Sequence, residues 1–354
     1  MRKLFLAVCA AVLVGPVVGV LAPAAHEVSG LAAAELAARA VAQNSSPAPV
    51  LVKEFPAHAP RSTSPVGASL VSGSPSPVLV KEFPAHAPAA SGPSPVSAGP
   101  SPAGSPRPPT LGGPFQLVWS TNFPVAAPLG SFGGGGNGSS VHAPDLPSAL
   151  QSQWGAYPSG WADTATQRGL SVGGYYDPGT TVWISGGQLH IKLWRGASGS
   201  VHSAALVPLA AQGRTYGRYV ETFRVPEIAT GYKSAHLLWP SNGDQDTSSF
   251  EVDYPENEWD TGISAYVHAG DDPQQAFPSG ASWSGWHTSE IDWTPNSLSF
   301  RLDGKLIGST TTGVPDEPMD WIIQNESALN GESAAPNSSA QMDISYVAYY
   351  RYTG

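Results

Sequence analysis

The 354-residue chain has a formal net charge of −10 with only 12% charged residues, and no Lys/Arg cluster interrupts that balance. Such a surface excludes nucleic acid and anionic membrane as electrostatic partners and suits a neutral, hydroxyl-rich one. The single cysteine, Cys9, excludes an internal disulfide framework, so stability must come from packing.

Arg2 and Lys3 precede an apolar run from Leu4 to Leu21, broken by Gly15, Pro16 and Gly19 and followed by small Ala22, Ala24 and Ala25. Residues 1–25 therefore read as a signal peptide, and the mature protein is expected to be secreted and extracellular. A membrane anchor is the competing reading, but the helix breakers and the missing positive flank weigh against it. Residues 26–113 are rich in Pro, Ala, Ser and Gly and nearly empty of large apolar groups. Burial there cannot offset ordering entropy, so a disordered or polyproline-like linker is expected. Within it Pro49–Pro60 recurs identically as Pro77–Pro88. The repeat is either a docking motif in two copies or a duplication in an unconstrained linker.

Every Trp lies between Trp119 and Trp321, and every Tyr between Tyr157 and Tyr352. The side chains able to build a core thus begin near Phe115, which predicts one globular domain over residues 114–354. Its pattern is all-β. Turn signals at Asp177-Pro178-Gly179, Ser185-Gly186-Gly187, Asn242-Gly243, Thr294-Pro295-Asn296 and Asp303-Gly304 separate short alternating runs. Gln188–Trp194 alternates, as does Leu298, Phe300 and Leu302 leading into the Asp303-Gly304 turn. Two packed antiparallel sheets follow from that pattern. Gly130–Gly138 is a loop without the Lys of a phosphate loop, and neither Gly-x-Ser-x-Gly nor His-Glu-x-x-His occurs.

The chemistry concentrates in Phe250-Glu251-Val252-Asp253-Tyr254-Pro255-Glu256. On a regular strand Glu251 and Asp253 share one face, while Phe250, Val252 and Tyr254 share the other. Glu256 has the wrong parity, and one bulge near Pro255 would return it to the acidic face. Three carboxylates on one face repel one another, which suggests a use. A retaining glycosidase needs two of them, roughly 5–5.5 Å apart, as nucleophile and acid/base. The triplet alone fits a solvated acidic face or a calcium site equally well.

Tyr216-Gly-Arg-Tyr219, Gly231-Tyr-Lys233, Leu237-Leu-Trp-Pro240, Trp286-His-Thr288, Glu290-Ile-Asp-Trp-Thr-Pro295, Leu302-Asp-Gly304, Val314-Pro315 and Trp321-Ile-Ile-Gln324 surround that motif. In this order, with Glu-x-Asp-x-x-Glu among them, the segment from about Trp119 to the C-terminus resembles glycoside hydrolase family 16, the laminarinase and lichenase group. The resemblance implies a jelly-roll sandwich of two antiparallel sheets with a concave substrate cleft. It implies Glu251 as nucleophile, Glu256 as acid/base and Asp253 as the carboxylate tuning them. The activity it implies is a secreted retaining endo-β-glucanase on β-1,3 and/or mixed-linkage β-1,3-1,4-glucan. Such an enzyme is expected to act as a monomer and without a required cofactor.

The chain also departs from the family pattern. His236 stands where many relatives have Trp, so a subsite near the cut is expected to be altered. The usual Glu-then-Arg pairing is shifted to Val220-Glu221-Thr222, and Ser345 replaces an Asp common in the last strand, leaving a structural calcium near Asp343 open. Trp239, Trp259, Trp154 and Trp183 are candidate sugar platforms, with core packing as the alternative for each. Trp239 is the best placed, just before Pro240. His268, which shares a face with Ser264 and Tyr266, is expected to contact sugar unless it merely ends a strand. Gln324 and Glu326 share a face with Ile322 and are expected to close the cleft on another strand, with a polar strand end as the alternative. The rival from another class is a non-catalytic glycan-binding sandwich, a lectin or wall-binding module; the retained carboxylates argue against it. An adhesive role for the linker repeats is a third reading.

Overall fold

A computed structural model describes residues 112–133, 141, 143–242, 250–270 and 272–354. The signal segment, the linker with its repeat, residues 134–138 of the glycine loop, Gly243 and Asp271 lie outside the described residues. The strands, in chain order, are β1 (Phe115–Thr121), β2 (Trp154–Ala156), β3 (Gly174–Tyr176), β4 (Val182–Ser185), β5 (Gln188–Arg195), β6 (Val201–Pro208), β7 (Gly217–Arg224) and β8 (Tyr232–Pro240). There follow β9 (Phe250–Glu258), β10 (Gly262–Ala269), β11 (Gln275–Ser282), β12 (His287–Thr294), β13 (Ser297–Leu302), β14 (Lys305–Thr310), β15 (Met319–Ser327) and β16 (Ser339–Tyr352).

The expected sandwich forms. A front sheet runs β11-β10-β9-β8-β15-β6, and a back sheet runs β5-β16-β7-β12-β13-β14. Trp194 and Arg195 of β5 also pair with His202 and Val201 of β6, so the two sheets are continuous along one edge. Pairing is antiparallel throughout except that β3 runs parallel to β6. The anticipated Asp303-Gly304 hairpin closes Leu302 against Lys305, with both turn residues at positive φ (53° and 77°) as a type I′ turn requires.

Alternating apolar residues meet between the sheets. Trp321 of β15 packs edge-on against Tyr219 of β7 at 5.4 Å, and Tyr254 of β9 against Phe300 of β13 at 5.6 Å. Each fully buried side chain the size of Leu238 or Phe300 contributes roughly 1.5–3 kcal/mol to this packing. Gly231 fixes where β8 enters the sheet. Its φ is +93°, and a Cβ there would lie 2.0 Å from the Ala334 nitrogen, so only glycine fits.

Strand β8 shows how parity sorts function from packing. Tyr232 and Leu238 lie in the inter-sheet core, whereas Ala235, Leu237 and Trp239 join a second apolar cluster on the other face. His236 has the core parity. It is fully buried, its Nδ1 is 2.8 Å from Glu221 Oε2 on β7, and its Nε2 is 3.4 Å from Asn325 Oδ1 on β15. His236 is therefore an interior residue and not part of a sugar subsite, since it and Trp239 stand at an odd offset and cannot share a strand face. Trp259 is corrected in the same way. Its indole donates to Ser234 Oγ at 2.8 Å, Ser234 donates to Asn325 Oδ1 at 2.7 Å, and the ring is fully buried in the core. The two departures noted in the sequence, Glu221 and His236, are each other's partner.

Candidate active site

The carboxylate strand carries the bulge its parity demanded. On β10, Ser264 pairs with Glu256 and Tyr266 with Asp253, so two residues of β10 span three of β9. The same shift appears on the other side, where Ala235 pairs with Glu256 and Leu237 with Asp253. The extra residue falls at Tyr254-Pro255, where proline's missing N–H removes no ladder bond that a regular strand would need. Val252 and Tyr254 point into the core, with the Tyr254 hydroxyl donating to the Arg301 carbonyl at 2.8 Å. Glu251, Asp253 and Glu256 consequently share the outer face of the front sheet, all three buried.

Each carboxylate has a distinct neighbourhood. His268 of β10 is opposite Glu251 in register, and its Nε2 lies 3.4 Å from Asp253 Oδ2 and 3.2 Å from the Gln274 amide. His268 thus lies on the same outer face as the carboxylates. Glu251, Asp253 and His268 each present one ligand atom within 4.8 Å of the others, a spacing a divalent cation could bridge. Glu256 sits apart from this trio and accepts from Lys233 Nζ at 3.2 Å. Next to it, Asn257 is held by its side-chain amide to Gly262 O (2.7 Å) and Ser264 Oγ (3.0 Å), and it accepts from the Tyr266 hydroxyl at 2.9 Å. The ammonium beside Glu256 offsets part of the mutual repulsion among the carboxylates, and His268 lies beside Asp253.

Lys233, Tyr266 and Asn257 were not singled out from the sequence. Parity already placed Tyr266 on the face of His268 without giving it a role, and it could have found Lys233, which alternates with Ala235 and Leu237. Asn257 follows the bulge, where alternation gives no guide.

Trp239 and Gln324 do face the outer side, but neither lines an open floor. Trp239 is 1% exposed and belongs to a cluster with Leu237, Ile322, Tyr157, Trp161 and Tyr176. The Tyr176 hydroxyl donates to Gln324 Oε1 at 3.1 Å and, by a very short contact, to Glu326 Oε1. Thr164 donates to Glu326 from its backbone N (3.2 Å) and its hydroxyl (3.1 Å). The segment carrying Tyr157 to Tyr176 is folded down over β15, which periodicity within β15 could not reveal. Burial first, and then Asp163, raises the Glu326 carboxyl to about 7. Trp154 packs on Trp119 and Phe123 in the core, and Trp183 stacks on His190 on the back sheet.

At the position where a calcium was left open, Asp343 accepts from His190 Nδ1 (2.8 Å), Gln341 Nε2 (2.6 Å) and Arg224 Nη2 (2.9 Å). Burial alone would push its carboxyl up, but these hydrogen bonds outweigh it and leave the group below the usual range. Both oxygens are thus engaged by donors that an ion would have to displace.

No protein-family model and no curated protein matches the chain in sequence. Solved structures match it in fold. The laminarinase from Rhodothermus marinus is 20% identical and superposes with a TM-score of 0.53, covering 68% of this chain and 98% of its own. A mutant of a non-specific endo-β-1,3(4)-glucanase from family 16, co-crystallised with 1,3-β-D-cellobiosyl-cellobiose, is 18% identical with a TM-score of 0.53 and coverage of 71% and 100%. An endo-acting O-glycanase structure from work on mucin breakdown by human gut microbiota is 15% identical with a TM-score of 0.52 and coverage of 70% and 94%. The chain has the fold of the glycoside hydrolase family 16 glucanases.

Proposed function

We propose that the chain is a secreted, retaining glycoside hydrolase that cuts β-glucan, with β-1,3 and/or mixed-linkage β-1,3-1,4 bonds as its targets. The observation that carries this reading is the bulge in β9, which gathers Glu251, Asp253 and Glu256 on one buried outer face. The fold shared with two glucanases supports the substrate class, as does the low charge of the chain.

In this reading Glu251 attacks the anomeric carbon while the Glu256 carboxyl gives its proton to the departing glycosidic oxygen. Asp253, between them and beside His268, orients and tunes the pair. Water then displaces Glu251, with Glu256 now accepting the proton, and two inversions give net retention.

Proton NMR in the first minutes of laminarin and lichenan digestion tests this directly. The new reducing end should appear as the β-anomer before mutarotation. Glu251→Gln should lose turnover by several orders of magnitude while keeping the wild-type melting temperature. An initial α-anomer, or a tenth of wild-type turnover surviving in Glu251→Gln, would overturn the assignment. Tight glycan binding without any hydrolysis would return the chain to the non-catalytic class.

A further inference from the structure

Lys233 has no part in the chemistry just described, yet it is the cation touching Glu256. Its neighbours Tyr232 and Ser234 face the interior, so strand parity places it on the outer face. There its ammonium, 1% exposed, lies 3.2 Å from Glu256 Oε1. Burying an ammonium is costly unless it is paired and hydrogen-bonded. Across the sheet in the other direction Lys233 is in register with Glu326 of β15, whose carboxyl its charge draws downward against burial. One ammonium thus lies between two buried carboxyls. Glu326 is fastened by Tyr176 and Thr164 beneath the segment folded over β15. Glu256 is the one that has to exchange protons with substrate and water.

We propose that Lys233 is a positioning residue for Glu256, fixing its carboxyl and favouring the ionised form in which it acts as general base. This rests on the reading of Glu256 as acid/base. In the second half-reaction the water oxygen bonds to the anomeric carbon. The bond from that carbon to Glu251 breaks, its electron pair returning to Glu251, and the water proton passes to Glu256. An ammonium beside the base stabilises the charged form that must be present before that transfer. The same charge opposes protonation in the first half-reaction, so the pH above which the acid form is lost is set lower. The other groups facing Glu256 are Ser264 and Tyr266 from β10, Glu251, Asp253 and Glu258 along β9, and Glu326 behind Lys233 on β15. His268 stands beside Asp253. These add acceptors, hydroxyls and negative charge near Glu256, so Lys233 opposes the rest of its surroundings.

The test is kcat/KM on lichenan or laminarin across pH for wild type, Lys233→Met, Lys233→Arg and the double variant Lys233→Met with Glu326→Gln. The double variant removes the Lys233 charge together with that of Glu326, one of its two carboxyl partners, and its melting temperature is compared with that of Lys233→Met, so that a fold lost in the single variant does not stand in for lost chemistry. Losing the ammonium should move the alkaline limb up by about one pH unit in Lys233→Met and in the double variant. The glycosyl-enzyme trapped by acid quench and weighed by mass spectrometry should rise with it, because the base step slows. Lys233→Arg should return the limb most of the way to its wild-type position. An alkaline limb that stays in place while activity falls equally at all pH values would make Lys233 merely structural and overturn the proposal. Glu256→Gln separates this from the parent reading. Near-wild-type activity in that variant would sink Glu256 as acid/base, whereas its inactivity beside an unmoved limb in the lysine variants would sink only the role of Lys233.

Discussion

The two flanks of the carboxylate strand are built from the same sheet face and are opposites. On the β8, β15 and β6 side the face is dry. Ala235, Leu237, Trp239, Ile322, Ala205 and Val207 are buried with Tyr157, Trp161 and Tyr176 into one apolar cluster, pinned by hydrogen bonds to Gln324 and Glu326. On the β10 and β11 side the face is open. Tyr266 is partly exposed, and Ala276 and Pro278, its register partner and that of Ser264, are exposed small residues. Aromatic density therefore marks the packed flank, whereas the exposed flank is marked by Tyr266 and a shelf of small side chains. Counting tryptophans finds the core of this domain before it finds its cleft.

The largest effect expected from this contrast is on the dry flank. Trp161→Ala should cost roughly 3–5 kcal/mol by emptying a filled site. At roughly 2–4 °C per kcal/mol for a domain of this size, calorimetry should show a melting temperature lower by about 6–20 °C. A variant that melts normally but binds glucan poorly would make Trp161 a subsite and break the contrast.

The dry flank should also impose a pH dependence on stability. Glu326 is fully buried and titrates near 7 in the folded protein, against the usual value of 4.5. The folded state then holds a proton that the unfolded state has released. Stability is highest below the unfolded value and falls as pH rises toward 7, by at most on the order of 3 kcal/mol from this group. Glu290 on the back sheet, raised to about 7 by burial and then by Asp292, gives a fall of the same sign. Denaturation at pH 5 and pH 7.5 should therefore show a smaller difference in Glu326→Gln than in wild type, though not none. An unchanged difference would mean that Glu326 is ionised in both states.

The smallest effect on stability belongs to the open flank. Ala276→Trp should raise KM for polymeric glucan several-fold, with a change in stability within about 0.5 kcal/mol, as for other surface substitutions. An unaltered KM would show that sugar does not travel over β11.

Much of this layout was legible from local pattern. The alternation of Leu298, Phe300 and Leu302 gave β13, the positive-φ pair Asp303-Gly304 gave its hairpin, and the parity conflict at Glu256 gave the bulge. Parity applied with equal care to β8 would have separated Lys233 and Trp239 from His236. What local pattern could not supply is contact between distant segments. Tyr176 is remote in sequence from the Gln324 and Glu326 it covers, and Glu221 meets His236 across the sandwich. Exposure of Trp239, and with it the side on which sugar can lie, depends on those contacts.

The bulge at Tyr254-Pro255 also makes the carboxylate strand sensitive to length in a way that residue substitutions do not reveal. Upstream and downstream of it, β9 runs in two different phases, and one residue is the whole difference between them. An in-frame deletion of three nucleotides there would leave Glu251, Asp253 and Glu256 encoded. It would nevertheless turn Glu256 through the sheet toward Tyr254's partners Phe300 and Arg301, taking it from the ammonium of Lys233 into hydrocarbon.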